Sequence, residues 1–256
     1  MDSLRGSFGE HDGSAITSPA PTVAALPGPW RSTLARLTAM GVRSVQLSAT
    51  QAGFRPRELD RSGRRDLLTT LRRAELSVAG LDAWIPADHF IDATHSDRAV
   101  DALRSIVELA ADLGRVPVSM TLPSPTDDDD AVAEIAATIA AHAERHGVGV
   151  IDHMWPKAAR GGIAWGLETA AALSHDSDPT AMLLRDAPAS VRLADLDQTG
   201  MRGPIGTSGR LDVLAFRVSL SMSTSVKHIV MDTRQWIQPW EGLDASIRAW
   251  SAATMS

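Results

Sequence analysis

From residue 42 to residue 232, short β-branched runs alternate with longer helical patterns, and this alternation constrains the fold more than any other feature of the chain. VRSVQLSA (42–49), LSVAGLDAW (76–84), VPVSMTL (116–122), VGVIDHMW (148–155), IAWGLE (163–168), VRLADL (191–196) and VKHIVMD (226–232) each read as a strand. An eighth strand is expected within 17–26, around PTVAAL, where prolines weaken the pattern. Helices are predicted from Trp30 to Met40, over 60–76, over 96–114, from Asp128 to His146, from Ala170 to Leu184 and from Val213 to Ser221. In 60–76, Leu67, Leu68 and Leu71 share one face. In 96–114, Ser96 is the expected N-cap and Gly114 the stop.

About eight strand–helix units in 256 residues predict an α/β chain closed into a (β/α)8 TIM barrel. The alternative, an open doubly wound sheet, places a glycine-rich nucleotide turn after its first strand. No G-x-G-x-x-G or G-x-x-x-x-G-K-[ST] stands in such a position. The expected organisation is a flexible lead-in over 1–20, rich in Gly, Ser and Pro, and a single barrel domain over 21–256.

Composition narrows the chemistry. Without a cysteine there is no disulfide, thiolate metal site or cysteine nucleophile, and without a tyrosine no phenolic acid or base. A formal net charge of -6 argues against a nucleic-acid partner, which would call for a basic face. No apolar run approaches the roughly 18 residues that span a bilayer. The N-terminus also lacks the basic-then-apolar order of a signal peptide, so a cytoplasmic location and no membrane partner are expected.

In a parallel barrel the strand C-termini converge on one mouth. Here they are polar: Asp82 then Trp84, Asp152 then His153, Glu168, Arg192 with Asp195, and Asp232 with Arg234. A chain leaving a core needs polar residues at such points in any case. Four carboxylates at successive ends (Asp152, Glu168, Asp195, Asp232) would still repel one another unless a divalent cation, Arg192, Arg234 or protonation compensated them.

GVRSVQLSA, LSVAGLDAWIPADHF and DRAVDALRSIVELAADLGRVPVSMTLP, spanning Met40 to Pro123, resemble the sugar phosphate isomerase/epimerase family with its xylose isomerase-like TIM barrel. SVRLADLDQTGMRGPIGTSGRLDVLAFRVSL and HIVMDTR extend the resemblance to about 200 residues through individually loose motifs. The resemblance implies a divalent metal (Mg, Mn or Co) held by Asp152, Glu168 and Asp232. It also implies proton transfer next to a carbonyl by Asp152 and Asp232, acting on a small sugar-like substrate; a homo-oligomer is compatible with the sequence, which does not fix the oligomeric state. It departs from the family at every ligand. Asp152 and Asp232 stand for Glu, Glu168 stands for Asp, and Arg192 and Ala171 stand where histidines are usual. A guanidinium stays protonated and cannot ligate a metal.

Two readings follow. One is an isomerase or epimerase with a modified metal site. The other is a metal-free barrel in which Arg192 replaces the cation, neutralises Asp152, Glu168 and Asp232, and binds a small polar or anionic ligand, with altered chemistry or none. Substrate contacts are expected from Trp84, His89, His153, Arg192, Asp195 and Arg234. Trp155 and Trp165 either stack on a sugar face or fill the mouth. The Asp127–Asp130 run reads as the cap of the following helix, and GPIGTSG (203–209) as a plain loop. His142 and His146 have the i, i+4 spacing of a chelating pair, but are read as surface residues on an exposed amphipathic helix.

Overall fold

The computed structural model of the chain describes residues 18–124, 129–206 and 209–253. Eight parallel strands close into a barrel: β1 (Ala20–Pro21), β2 (Ser44–Ser48), β3 (Ser77–Asp82), β4 (Val118–Met120), β5 (Val150–Asp152), β6 (Ala164–Glu168), β7 (Ser190–Leu193) and β10 (His228–Met231). Their order is β1-β10-β7-β6-β5-β4-β3-β2, and a parallel bridge from Thr22 to Gln46 joins β1 to β2 to complete the ring. Closure removes both edges of the eight-stranded sheet.

All seven expected strands occur, and the eighth is the two-residue β1. Pro21 is tolerated there because the ladder hydrogen bond comes from the next residue, Thr22 N–H to Met231 O at 3.0 Å. The run 191–196 is not one strand. Thr169 accepts the Ala194 N–H on its hydroxyl at 3.0 Å, and the chain breaks there into β7 and a short hairpin of β8 (Asp195–Leu196) and β9 (Arg202–Gly203).

The helices are α1 (Trp30–Ala39), α2 (Arg61–Arg73), α3 (Ser96–Asp112), α4 (Asp129–His146), α5 (Thr169–Ser174), α6 (Pro179–Asp186), α7 (Val213–Met222) and α8 (Pro239–Ala252). The pattern from Ala170 to Leu184 is thus two helices. Asp178 caps α6 by accepting the Thr180 N–H at 2.8 Å, and Pro179 occupies its first position. The helix α8 is an addition to the sequence reading. Ser96 is the first helical residue of α3 and His95 its N-cap, while Gly114, at φ 105°, does mark the stop. Asp127 and Asp128 of the expected capping run lie outside the described residues, as do residues 1–17 of the expected lead-in.

The core lies in two shells. Leu47, Leu81, Val118, Leu167 and Val191 come from the strands, and Leu34, Leu37, Leu103, Val107, Leu109 and Phe216 come from the helices packed outside them. Each such fully buried side chain contributes about 1.5–3 kcal/mol of transfer free energy. No helix among the described residues is long and apolar enough to cross a membrane.

Candidate functional site

The parallel register sets the strand ends level. Glu168 of β6 stands beside Arg192 of β7, Asp82 of β3 pairs with Ser119 of β4, and the Asp232 N–H donates to Leu193 O at 2.9 Å just beyond β10. The result is a ring of polar side chains at the C-terminal mouth, and arginines fill it.

Arg192 points into the barrel, 2% exposed, and pairs with Asp82, itself 0% exposed, at 2.9 Å. It also donates to Ser119 Oγ at 3.1 Å and Thr121 Oγ1 at 3.4 Å. Arg234 donates to Asp82 Oδ2 at 3.2 Å and, through Nε, to Asp232 Oδ1 at 2.8 Å, with a second contact from Nη2 to Asp232 Oδ2. Its guanidinium lies 4.0 Å from the ring centroid of Trp84, which is 51% exposed at the rim. Arg202, carried on β9, bridges Glu168 Oε1 and Asp232 Oδ2, the latter at 2.8 Å. Asp152 is held by Arg160 Nε at 2.9 Å and by the N–H groups of Leu122 and Met154, each at 3.0 Å.

Electrostatics follow from this packing. Burial alone would raise the Asp232 carboxyl, but Arg234, Arg202 and Arg192 outweigh it and hold the group well below the ordinary carboxylate range. Burial raises Asp82 against the pull of Arg234 and Arg192. It raises Asp152 against its two backbone donors and Arg160. Burial also lowers His153 well below the histidine range, reinforced by Arg192 and Arg234.

The structure therefore brings Arg192, Arg234, Asp232 and Glu168 together but separates other predicted residues from them. Arg192 does not pair with Asp152, Glu168 or Asp232, as expected from sequence; its ion-pair partner is Asp82. The residue that bridges Glu168 and Asp232 is Arg202, and Asp152 pairs with Arg160, which also donates to Pro123 O. Asp195 is buried and accepts the N–H groups of Leu196, Arg210 and Leu211 at 2.8–2.9 Å, so it holds the turn into α7. His153 is buried against Gly166, with Nε2 at 3.0 Å from Ser190 Oγ. His89 sits in a 3-10 turn (Ala87–Phe90) after β3 and stacks on His95 at 4.6 Å. Trp155 packs against His175, and Trp165 lies under the Lys157 ammonium.

Asp82, Ser119 and Arg202 escaped the sequence reading as parts of one network, and Arg160 as the partner of Asp152. Asp82 ends its strand and was visible as polar. Arg160 and Arg202 lie in connecting segments, where nothing in the sequence marks them as partners of strand-end acids.

A divalent metal does not fit this mouth. The three carboxylates implied as ligands, Asp152, Glu168 and Asp232, each have oxygens taken by a guanidinium. Among the described residues, the mouth contains no group of three His, Asp or Glu whose ligand atoms all lie within 4.8 Å of one another.

No protein-family model matches the chain, and no curated protein matches it. Solved structures do match. A xylose isomerase-like TIM barrel protein from Mycobacterium smegmatis, in complex with magnesium, superposes with TM-score 0.70 at 11% identity, covering 92% of this chain and 97% of that one. D-Psicose 3-epimerase with D-tagatose, from Clostridium cellulolyticum H10, gives TM-score 0.69 at 11% identity, covering 93% and 96%. A probable 3-DHS dehydratase from Bacillus anthracis, involved in petrobactin synthesis, gives 0.73 at 9% identity, covering 92% and 99%. The fold is that of the xylose isomerase-like TIM barrels, found also in sugar phosphate isomerase/epimerases, in a divergent sequence.

Proposed function

We propose that this xylose isomerase-like barrel binds a small polyhydroxylated anion, a sugar acid or sugar phosphate, at its strand-end mouth without a divalent metal. The observation that carries this reading is the bridging of Glu168 and Asp232 by Arg202. The cation between these two carboxylates is a guanidinium supplied by the chain itself. Guanidinium groups bind carboxylate and phosphate through paired donors in a fixed fork. Arg202 is the least buried arginine of the Glu168–Asp232–Asp82 network, so an incoming anion meets it first. Displaced from Arg202, Glu168 would accept hydrogen bonds from ligand hydroxyls, and the exposed Trp84 would offer an apolar wall at the rim.

Isomerase or epimerase chemistry is the second reading, supported by the names of structural neighbours such as L-ribulose 3-epimerase and D-psicose 3-epimerase. Proton abstraction needs a carboxylate within reach of substrate. Asp152 and Asp232 are buried beneath their arginines, so Glu168 is the better placed base, and the reaction would proceed with Arg202 polarising the carbonyl.

Calorimetric titration of the purified chain with a panel of sugar acids and sugar phosphates, with and without EDTA, tests the proposal. Binding that survives EDTA and is lost in Arg202→Ala is expected. Binding that requires Mg²⁺ or Mn²⁺, and disappears in Asp152→Ala and Glu168→Ala, would restore the metal-isomerase reading. Proton exchange from the ligand carbon into deuterated water separates catalysis from binding alone.

A further inference from the structure

Far from the mouth, near the end of the barrel where the strands begin, Glu108 of α3 faces His142 and His146 of α4. We infer that these three residues form a binding site for a transition-metal ion of the zinc type, clipping α3 to α4.

A spacing of i, i+4 places two side chains on one face of a helix. Here the imidazole centroids are 4.6 Å apart. Glu108 Oε1 lies 3.7 Å from His142 Nε2, and one ligand atom from each of the three residues lies within 4.8 Å of the others. Zinc bonds of about 2.1 Å in a tetrahedron separate neighbouring ligand atoms by roughly 3.4 Å. Small side-chain rotations therefore suffice to close the site, with the fourth position left to water.

A second observation is His142 itself. Its side chain is only 12% exposed, and its Nε2 is buried without a hydrogen-bond partner beside that carboxylate. Buried polar atoms in folded proteins are ordinarily paired. The favourable interaction of basic groups with a helix C-terminus accounts for Arg145 and His146 in the last turn, but not for this atom. Arg145 donates to His142 Nδ1 at 3.2 Å; metal on Nε2 puts a proton on Nδ1, so the exposed Arg145 must swing away.

Two nitrogens and one carboxylate oxygen suit zinc and its neighbours in the transition series, whereas magnesium prefers oxygen alone. The sequence showed the histidine pair but not Glu108, which comes from another helix. At the strand N-terminal face a barrel more often holds stabilising features than catalytic ones, and α3 and α4 flank β4 there.

The test is calorimetric titration of the full chain with ZnCl2 and with MgCl2, paired with thermal melts. One equivalent of Zn²⁺ is expected to bind and raise Tm, and Mg²⁺ to do neither. Partners that merely orient a ligand are worth about 10–100-fold in metal affinity, so His142→Gln and His146→Gln should each weaken binding at least about tenfold. His146→Gln, at a half-buried position, guards against a folding defect in the first variant. No one-equivalent binding, or binding unchanged in both variants, would overturn the proposal.

Discussion

Arg192 and Asp82 form an ion pair of 2.9 Å across the barrel, from strands with three others between them whichever way the ring is followed. Both side chains are almost wholly buried, and Asp82 is the ion-pair partner of Arg192. Asp82 carries more, because Arg234 also bonds it, at 3.2 Å. Asp82→Asn therefore strips two guanidiniums of a charge partner, and breaking a buried pair in this way costs about 3–5 kcal/mol. Arg192→Met leaves Asp82 with Arg234 and should cost distinctly less. Urea unfolding of the two variants measures the difference; equal losses would contradict the asymmetry.

His153 should produce a measurable pH dependence of stability. Burial, then Arg192 and Arg234, depress its pKa in the folded chain, whereas the unfolded chain takes up a proton near about pH 6.5. A depressed folded pKa means that the stabilisation is present above the unfolded value and is lost as pH falls below it. For one proton the slope is about 1.4 kcal/mol per pH unit. Between pH 6.5 and 5.5, wild type should lose stability faster than His153→Gln, whose other histidines are unchanged and cancel in the comparison. Parallel unfolding curves at the two pH values would show that His153 is not buried as a neutral ring.

Gly166 is needed for the space His153 occupies. A Cβ on it would stand 2.3 Å from His153 Cε1 and 2.5 Å from Nε2. Gly166→Ala must push the ring off Ser190, and overpacking of this kind costs about 1–3 kcal/mol. In a His153→Ala background the methyl group has room, so the second substitution should be nearly neutral there. The double-mutant cycle reads this coupling directly.

The sequence carried the barrel well and the site only in outline. The strand His228–Met231 announces itself because its apolar run, buried on both faces, is followed by the polar Asp232. The break at Ala194 depends on the Thr169 hydroxyl, brought beside it only by folding, and so left no local mark. The break before α6 had a cue in Asp178-Pro179 that the apolar periodicity hid. At the mouth the acids were legible, since strand ends can be counted. Their partners were not: Glu168 and Arg202 lie 34 positions apart, and Asp82 and Arg192 110 apart. Arg192 pairs with Asp82, not with Asp152, Glu168 or Asp232 as the sequence suggested.

Arg202 supplies the last prediction. Its guanidinium touches Glu168 Oε1 and Asp232 Oδ2, a position that a hard divalent cation could occupy in its absence. Arg202→Ala removes that charge and leaves Glu168 without this ion pair, while Arg234 continues to hold Asp232. The variant should bind Mn²⁺ where wild type does not. At a hundredfold excess over its Kd, a ligand of the folded state adds about 2.7 kcal/mol, which for a chain of this length is roughly 5–11 °C in Tm. Thermal melts with and without Mn²⁺ provide the measurement, with Arg202→Ala/Glu168→Gln as the control in which the gain should vanish. A Mn²⁺-dependent rise already present in wild type and abolished by Glu168→Gln would mean that the mouth takes a metal despite its arginine. No rise in Arg202→Ala would mean that the two carboxylates lie too far apart to share an ion, and that Arg202 bridges them through reach that no single ion has.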